Sequence, residues 1–368
     1  MYRDTQAIVQ LGVIRNNVEQ IRQALPSAVK LMAVVKADGY GHGDLETAAA
    51  AEQAGADMLA VAYLDEALKL RARGSRLPIL ILTPIHPCEV LVAIEHDFMV
   101  TVTSDEWFRG MLPYWHSVIN KKLKVHVKLD TGLGRLGLKT REEWEKLVPY
   151  LQSDNVEVDG VYTHFATAGN ADTTFLERQY KRFNEMRDWC ASSGIAVKHF
   201  HCAGSASALR FPALAMDMVR IGAAMFGFYP KPLIPDLRLA PALRLSSRLI
   251  QAQKVRRGEC VGYDNSYVAE ADEWIGTVPI GYADGWSQAL QGSVMLVDGQ
   301  RVPIVGKICM DQLMVRLPAA YDAGEEVVLI GRQGDDEITF AELASRLGSV
   351  PQEISTAISG RVDRIYMD

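Results

Sequence analysis

Long apolar runs are absent from this chain: no segment approaches the roughly 20 uninterrupted apolar residues that a membrane span requires. The first residues, Met1-Tyr2-Arg3-Asp4, lead into an alternating segment (Ala7, Val9, Leu11) without the unbroken apolar stretch of a signal peptide, so a cytoplasmic location is expected. Cysteine is sparse. Cys88, Cys190, Cys202, Cys260 and Cys309 are odd in number and widely spaced, and they form no C-x-x-C pair. This argues against a disulfide framework or a zinc knuckle and leaves buried thiols in a reducing compartment, with no metal expected. Neither sign of charge dominates. Against 45 Asp+Glu stand 39 Lys+Arg, so no cationic excess is available to displace counterions from nucleic acid or an anionic membrane. Internal repeats and low-complexity tracts are also missing. What is there, 368 residues at 48% hydrophobic and 23% charged, is an ordinary globular composition with length for about two domains.

From about residue 29 to 227, short apolar runs rich in β-branched residues alternate with segments of helical period. The runs lie at 30–35, 58–62, 78–82, 98–102, 123–129, 158–162, 197–200 and 216–219. Eight of them predict an α/β fold, an N-terminal (β/α)8 TIM-like barrel. Lys36, Asp130, His164, His201 and Arg220 fall at or just past the carboxyl ends of these runs, the face where barrel active sites are built. Pro230, Pro232 and Pro235 then read as a stiff connector. Beyond it come alternating runs and turn signals such as Asp298-Gly299, which predict a mostly β C-terminal domain interrupted by one short helix near 340–347. No helical pattern is evident after the N-terminal alternating segment. The expected organisation is therefore a strand over 1–10 joining the β domain, a barrel over 11–235 and a β domain over 236–368.

Three glycine-containing stretches carry the chemistry. In the first, Ala33-Val34-Val35-Lys36-Ala37-Asp38-Gly39-Tyr40-Gly41-His42-Gly43, an apolar strand ends on a lysine at the functional rim. Desolvation there disfavours the ammonium, and a neutral amine can form a Schiff base or act as a base. The plain alternative is a lysine whose stem packs on the core while its head reaches water. In the second, Val219-Arg220-Ile221-Gly222-Ala223-Ala224-Met225-Phe226-Gly227, the last strand leads into small residues of the kind that hold a phosphate through backbone N–H groups, with Ser205 as an added hydroxyl donor. A rim lysine combined with a phosphate cradle points to pyridoxal 5′-phosphate. The third, Lys128-Leu129-Asp130-Thr131-Gly132-Leu133-Gly134-Arg135-Leu136-Gly137, brings a guanidinium that can fork onto a carboxylate or phenolate. Tyr263, Tyr267, Trp274, Tyr282 and Trp286 read as packing aromatics.

These residues resemble the bacterial alanine racemase family, pyridoxal-phosphate enzymes with a barrel and a β domain. The likeness spans essentially the whole chain, through AVVKADGYGHG (33–43), KLDTGLGRLG (128–137), THFA (163–166), HCAGSASALRFP (201–212), VRIGAAMFG (219–227), DEWIGTVPIGYADGW (272–286) and KICMDQ (307–312). The resemblance implies that Lys36 holds the cofactor covalently and is one of two catalytic bases. It implies that Tyr40, Ser205 and the N–H groups of Gly222 and Ala223 receive the phosphate, that His164 supports the ring, and that Arg135 reaches the phenolate and the substrate carboxylate. Arg220 is matched to the residue facing the pyridine nitrogen. It can only donate, so that nitrogen stays unprotonated and the ring is a weaker electron sink. Tyr267 matches the second base, supplied by the partner subunit of a homodimer, and nearby cations must favour its phenolate. Met310 and Asp311 match the partner-borne wall, with the Met310 N–H reaching the substrate carboxylate. Lys128 falls where some members carry a carbamylated lysine.

The implied activity is two-base interconversion of L- and D-alanine, supplying D-alanine for peptidoglycan. Departures from the family pattern are Gly360, where some members have a tyrosine, Lys307, where arginine is common, and Gly204, where asparagine is common. The first two predict a wider pocket that tolerates serine beside alanine, and Gly204 takes one polar contact from the cofactor loop. A broader serine/alanine racemase and a barrel-type decarboxylase remain as alternatives; the second is opposed by Arg220, because related decarboxylases place an acid at that nitrogen. A cofactor-carrying protein without catalysis would need only the barrel.

Overall fold

The computed structural model describes residues 3–115, 121–228 and 237–368; Pro230, Pro232 and Pro235 lie outside the described residues. The chain divides into two compact units, one of Ile14–Gly39 with Asp44–Ala240, the other of Met1–Val13, Tyr40–Gly43 and Pro241–Asp368.

The larger unit is the expected barrel. Its strands are β2 (Lys30–Val34), β3 (Met58–Val61), β4 (Ile79–Ile81), β5 (Phe98–Val102), β6 (Leu123–Lys128), β7 (Val156–Tyr162), β8 (His199–His201) and β9 (Met218–Ile221), with β1 reserved for Gln6–Gln10 of the other unit. They pair in parallel in the order β8-β7-β6-β5-β4-β3-β2-β9. Between β8 and β9 closure rests on the bridge Gly204↔Arg220 and the bond from the Arg220 N–H to the Ala203 carbonyl at 2.9 Å. Strands β3, β4 and β5 are buried at every position, which is why they read as continuous apolar runs. The interior is not purely aliphatic. His126 and His201, both fully buried, share it with Thr101 and Tyr162.

In the smaller unit β1 pairs antiparallel with Leu243–Arg248 and parallel with Asp363–Met367. The Asp298-Gly299 turn joins Val294–Val297 to Gln300–Val305 with φ of 50° and 70°, the left-handed pair of a tight hairpin.

Several expectations need correction. A helix, Leu11–Ala24, does follow β1. Its period was hidden because the buried face Ile14, Asn17, Val18, Ile21 includes an asparagine, whose amide donates to the carbonyls of Met225 and Ala240 at 2.9 and 2.8 Å. A second C-terminal helix, Pro351–Ala357, follows Phe340–Leu347. Its proline sits in the first turn, where a missing N–H costs nothing. Only Cys190 and Cys202 are buried, since Cys88 lies on a surface turn and Cys260 on a two-stranded ribbon. Trp286 packs as expected, but Tyr263 and Tyr282 are 66% and 42% exposed. Among the described residues no helix is long and apolar enough to cross a membrane.

Candidate active site

Strand β2 delivers Lys36 into a single left-handed turn. Ala37, Asp38, Gly39 and Tyr40 have φ of 53°, 53°, 59° and 55°. Each non-glycine residue there costs about 1–2 kcal/mol. Glu66 offsets part of that cost. Its Oε1 accepts from the Ala37 N–H at 2.7 Å, and its Oε2 from Ala62 and Tyr63 at 2.7 and 3.1 Å. Gly39 allows the turn to lie against its neighbour, since a Cβ there would stand 2.9 Å from Thr47 Oγ1. Burial lowers the Lys36 pKa, the Arg135 charge lowers it further, and Glu66 opposes.

Strand β6 ends on Lys128, buried with its ammonium 4.3 Å from the centre of the Tyr162 ring. Burial, then the charges of Arg220 and Arg135, hold its pKa well below the ordinary lysine value. The following turn is organised by Asp130, whose Oδ1 accepts from Gly132 and Gly134 at 3.0 and 3.1 Å. It closes at Gly137, where a Cβ would meet the Lys128 carbonyl at 2.7 Å. Arg135 rides on this turn with its side chain exposed.

His164 follows β7. Its Nδ1 accepts from Arg220 Nη2 at 3.1 Å. Burial, then the charges of Arg220, Lys128, Arg135 and Lys36, hold its pKa well below the ordinary value, so the imidazole is neutral. A Cβ on Gly204 would come within 3.0 Å of His164 Cε1, so glycine at this position gives the ring its room. Arg220 is buried in β9. Nη1 donates to His201 Nδ1 at 2.7 Å, and Nη2 to the Thr163 and Cys202 carbonyls at 2.7 and 3.2 Å. Its Nε–H has no acceptor among the described residues. Ser205 Oγ accepts from the N–H groups of Gly222 and Ala224 at 3.0 and 3.4 Å, which leaves its own proton for another partner. The Ala223 N–H likewise has no acceptor among the described residues.

The barrel unit thus brings Lys36, Lys128, Arg135, His164, Ser205, Arg220, Gly222 and Ala223 into one assembly. An amine disposed to be neutral lies among cations and unspent donors, with Glu66 and Asp130 as opposing carboxylates. That donor set fits a small polyanion bearing an electrophilic carbon. Among the described residues no group of three or more His, Cys, Asp or Glu could hold a metal ion. His126 and Asp159 were not singled out in the sequence. His126 stands two residues before Lys128 on the same face of β6, which marks the face but not its partners, since those lie 75 and 33 positions away.

The remaining sequence-predicted residues belong to the smaller unit. Burial raises the Tyr40 phenol to about 12, so it is a donor. Tyr267 is half-buried, and its hydroxyl donates to Glu273 Oε1 at 2.7 Å. Burial and that hydrogen bond raise its pKa, while Arg316 opposes. The cation-rich surroundings expected for its phenolate are therefore not what this chain alone provides. Met310 is 53% exposed and lines an open cavity of about 620 Å³ with Gly262, Tyr263, Cys309, Asp311 and Met314. Asp311 accepts from Arg361 at 2.7 Å, and Lys307 pairs with Asp264. A Cβ on Gly360 would point into open space.

Residues 9–230 match the family described as alanine racemase, N-terminal domain, and residues 242–366 match alanine racemase, C-terminal domain. The chain is 46% identical over 370 residues to the alanine racemase of Geobacillus kaustophilus (strain HTA426), covering 99% of this chain and 95% of that protein. To the alanine racemase of Geobacillus stearothermophilus it is 45% identical, with 99% and 94% covered. The crystal structure of the Bacillus anthracis alanine racemase with bound L-Ala-P superposes with a TM-score of 0.97 at 43% identity, covering 100% of this chain and 96% of that one.

Proposed function

The chain belongs to the alanine racemase family and interconverts the enantiomers of alanine, and from that premise we propose that it does so with pyridoxal 5′-phosphate bound through Lys36. The observation that carries this reading is the Lys36 amine, its pKa lowered by burial and by Arg135, in the same assembly as Arg220 and the Ser205 hydroxyl. Tyr40, Ser205 and the N–H groups of Gly222 and Ala223 would hold the phosphate, His164 would support the ring, and Arg220 would face its nitrogen. When bound, the cofactor supplies a conjugated ring that stabilises negative charge at Cα of the substrate.

Arg135 holds the substrate carboxylate by a fork of N–H donors, and the Met310 N–H adds a second hold. Lys36 takes or returns the Cα proton on one face, and Tyr267 does so on the other. One of the pair must begin each passage protonated and the other bare. Tyr267, which keeps its proton against Glu273, and Lys36, whose ammonium is disfavoured, are matched for one direction. Arg220 donates and never accepts, which limits the electron demand at Cα and keeps side reactions rare. Arg220→Glu should therefore lower racemisation by about a hundredfold or more and raise keto-acid formation from alanine, read by enantiomer analysis and pyruvate assay on the same samples.

Burial disfavours the Lys128 ammonium relative to the neutral amine, the form that reacts with carbon dioxide, and carbamylation would place an anion beside Arg135. Tyr267, Met310 and Asp311 are supplied to the site by the other copy of a cytoplasmic homodimer. Specific activity should accordingly fall on dilution as dimer is lost, and a dilute monomer with full activity would contradict the shared site. The product serves as D-alanine for peptidoglycan. Gly360, with open space at its Cβ position, supports a pocket that admits serine. Gly360→Tyr should lower serine turnover relative to alanine by about tenfold, measured as the ratio of kcat/KM values.

The cofactor assignment is tested by borohydride reduction of the protein loaded with pyridoxal 5′-phosphate, followed by peptide mass analysis. The expected adduct lies on the peptide containing Lys36; an adduct only on another lysine would contradict it.

A further inference from the structure

Behind Arg220 the barrel interior holds a run of buried polar groups that the reaction above leaves unused. Arg220 Nη1 lies 2.7 Å from His201 Nδ1, His201 Nε2 lies 2.9 Å from His126 Nδ1, and His126 Nε2 lies 3.0 Å from Asp159 Oδ2. Arg220, His201, His126 and Asp159 are all buried, so little solvent competes for these bonds.

The direction of each bond follows from the two ends of the run. A guanidinium only donates, so His201 Nδ1 accepts and carries no proton. The hydrogen of a neutral His201 then sits on Nε2 and is donated to His126 Nδ1. His126 in turn carries its hydrogen on Nε2 and donates it to the Asp159 carboxylate. Burial lowers both imidazoles below their ordinary pKa, against the pull of Asp159 on His126, which keeps them neutral and the direction single.

The backbone is shaped to admit this run. Along β6 and β7, Val125 stands opposite Val158 but His126 stands opposite Gly160, so Asp159 is the extra residue of a bulge. A Cβ on Gly160 would stand 2.4 Å from His126 Nδ1, so only glycine admits the ring. Tyr162 stacks on His201 with centroids 4.8 Å apart and parallel planes, and its hydroxyl is fixed to Thr101 at 2.9 Å. At the far end Asp159 is met by Lys198 at 3.5 Å and by His199 Nδ1 at 3.5 Å, and Lys30 donates to His199 Nε2 at 2.9 Å.

We propose that Asp159 is a positioning residue for Arg220, acting through His126 and His201 along a one-way hydrogen-bond chain that fixes both tautomers and so fixes the guanidinium. What Arg220 faces in this proposal rests on the racemase reading; the chain of bonds does not.

Nitrogen-15 NMR of the histidine side chains in the cofactor-loaded enzyme tests it, with alanine racemisation measured on the same samples. His126 and His201 should both be neutral, protonated at Nε2 and bare at Nδ1. Asp159→Leu should disturb the tautomers of both rings and lower kcat by about tenfold to a hundredfold, with KM for alanine changed by less than about twofold. Asp159→Asn, whose amide oxygen accepts from the same Nε2–H, should restore the wild-type tautomers and most of the kcat. A wild-type His201 protonated at Nδ1 overturns the proposal, and so does equal loss in Asp159→Asn and Asp159→Leu. If Asp159→Leu fails to fold, the wild-type spectrum decides the direction and Asp159→Asn decides the coupling. The expected tautomers in a protein that does not racemise alanine would count against the reading of the reaction and for the chain.

Discussion

Lys36→Ala should lower alanine racemisation by at least about a thousandfold, because in the proposed reaction it removes both the covalent hold on the cofactor and one of the two groups that handle the Cα proton. The melting temperature should hold or rise. Lys36 is half-buried and forms no hydrogen bond to the described residues, and burial together with the Arg135 charge already disfavours its ammonium. Its removal therefore breaks no bond and leaves no buried group unpaired. Activity and thermal unfolding measured together separate this expectation from simple misfolding, since loss of both would point to a structural lysine. Lys128 is no substitute, because its Nζ is buried 4.3 Å from the centre of the Tyr162 ring.

Tyr267→Phe should abolish interconversion by about a hundredfold to ten-thousandfold while sparing a partial reaction. With one base gone, the other still removes and returns the proton on its own face. In deuterium oxide the variant should exchange the Cα hydrogen of one alanine enantiomer without inverting it, and leave the other enantiomer unlabelled. Equal labelling of both, or none of either, would contradict a division of the two faces between Lys36 and Tyr267. The lost hydroxyl releases one hydrogen bond to Glu273 at a half-exposed position, so stability should change by about 1 kcal/mol or less.

The barrel was legible because its strands are covered on both faces, which makes β3, β4 and β5 fully buried apolar runs and leaves apolar stretches at the other strand positions. Lys36 and Arg220 stood out for the same reason, as charges against apolar runs. The helix Leu11–Ala24 was hidden by Asn17, a polar residue on a buried face whose partners, Met225 and Ala240, lie more than two hundred residues away in sequence. His126 and Asp159 escaped notice in the same way. Their bonds join residues 75 and 33 positions apart, and the bulge that seats them is a matter of strand register, which local sequence does not encode. Tyr267 was read from resemblance to a family, and its bond to Glu273, six residues on, opposes the phenolate that the two-base scheme needs in one direction.

The central claim is that this chain racemises alanine through Lys36. It is tested most directly by chiral analysis of L-alanine after incubation with purified protein and pyridoxal 5′-phosphate, with Lys36→Ala alongside. The account predicts an approach to equal amounts of the two enantiomers, absent from the variant. Alanine that stays wholly L while carbon dioxide or a keto acid accumulates would contradict it.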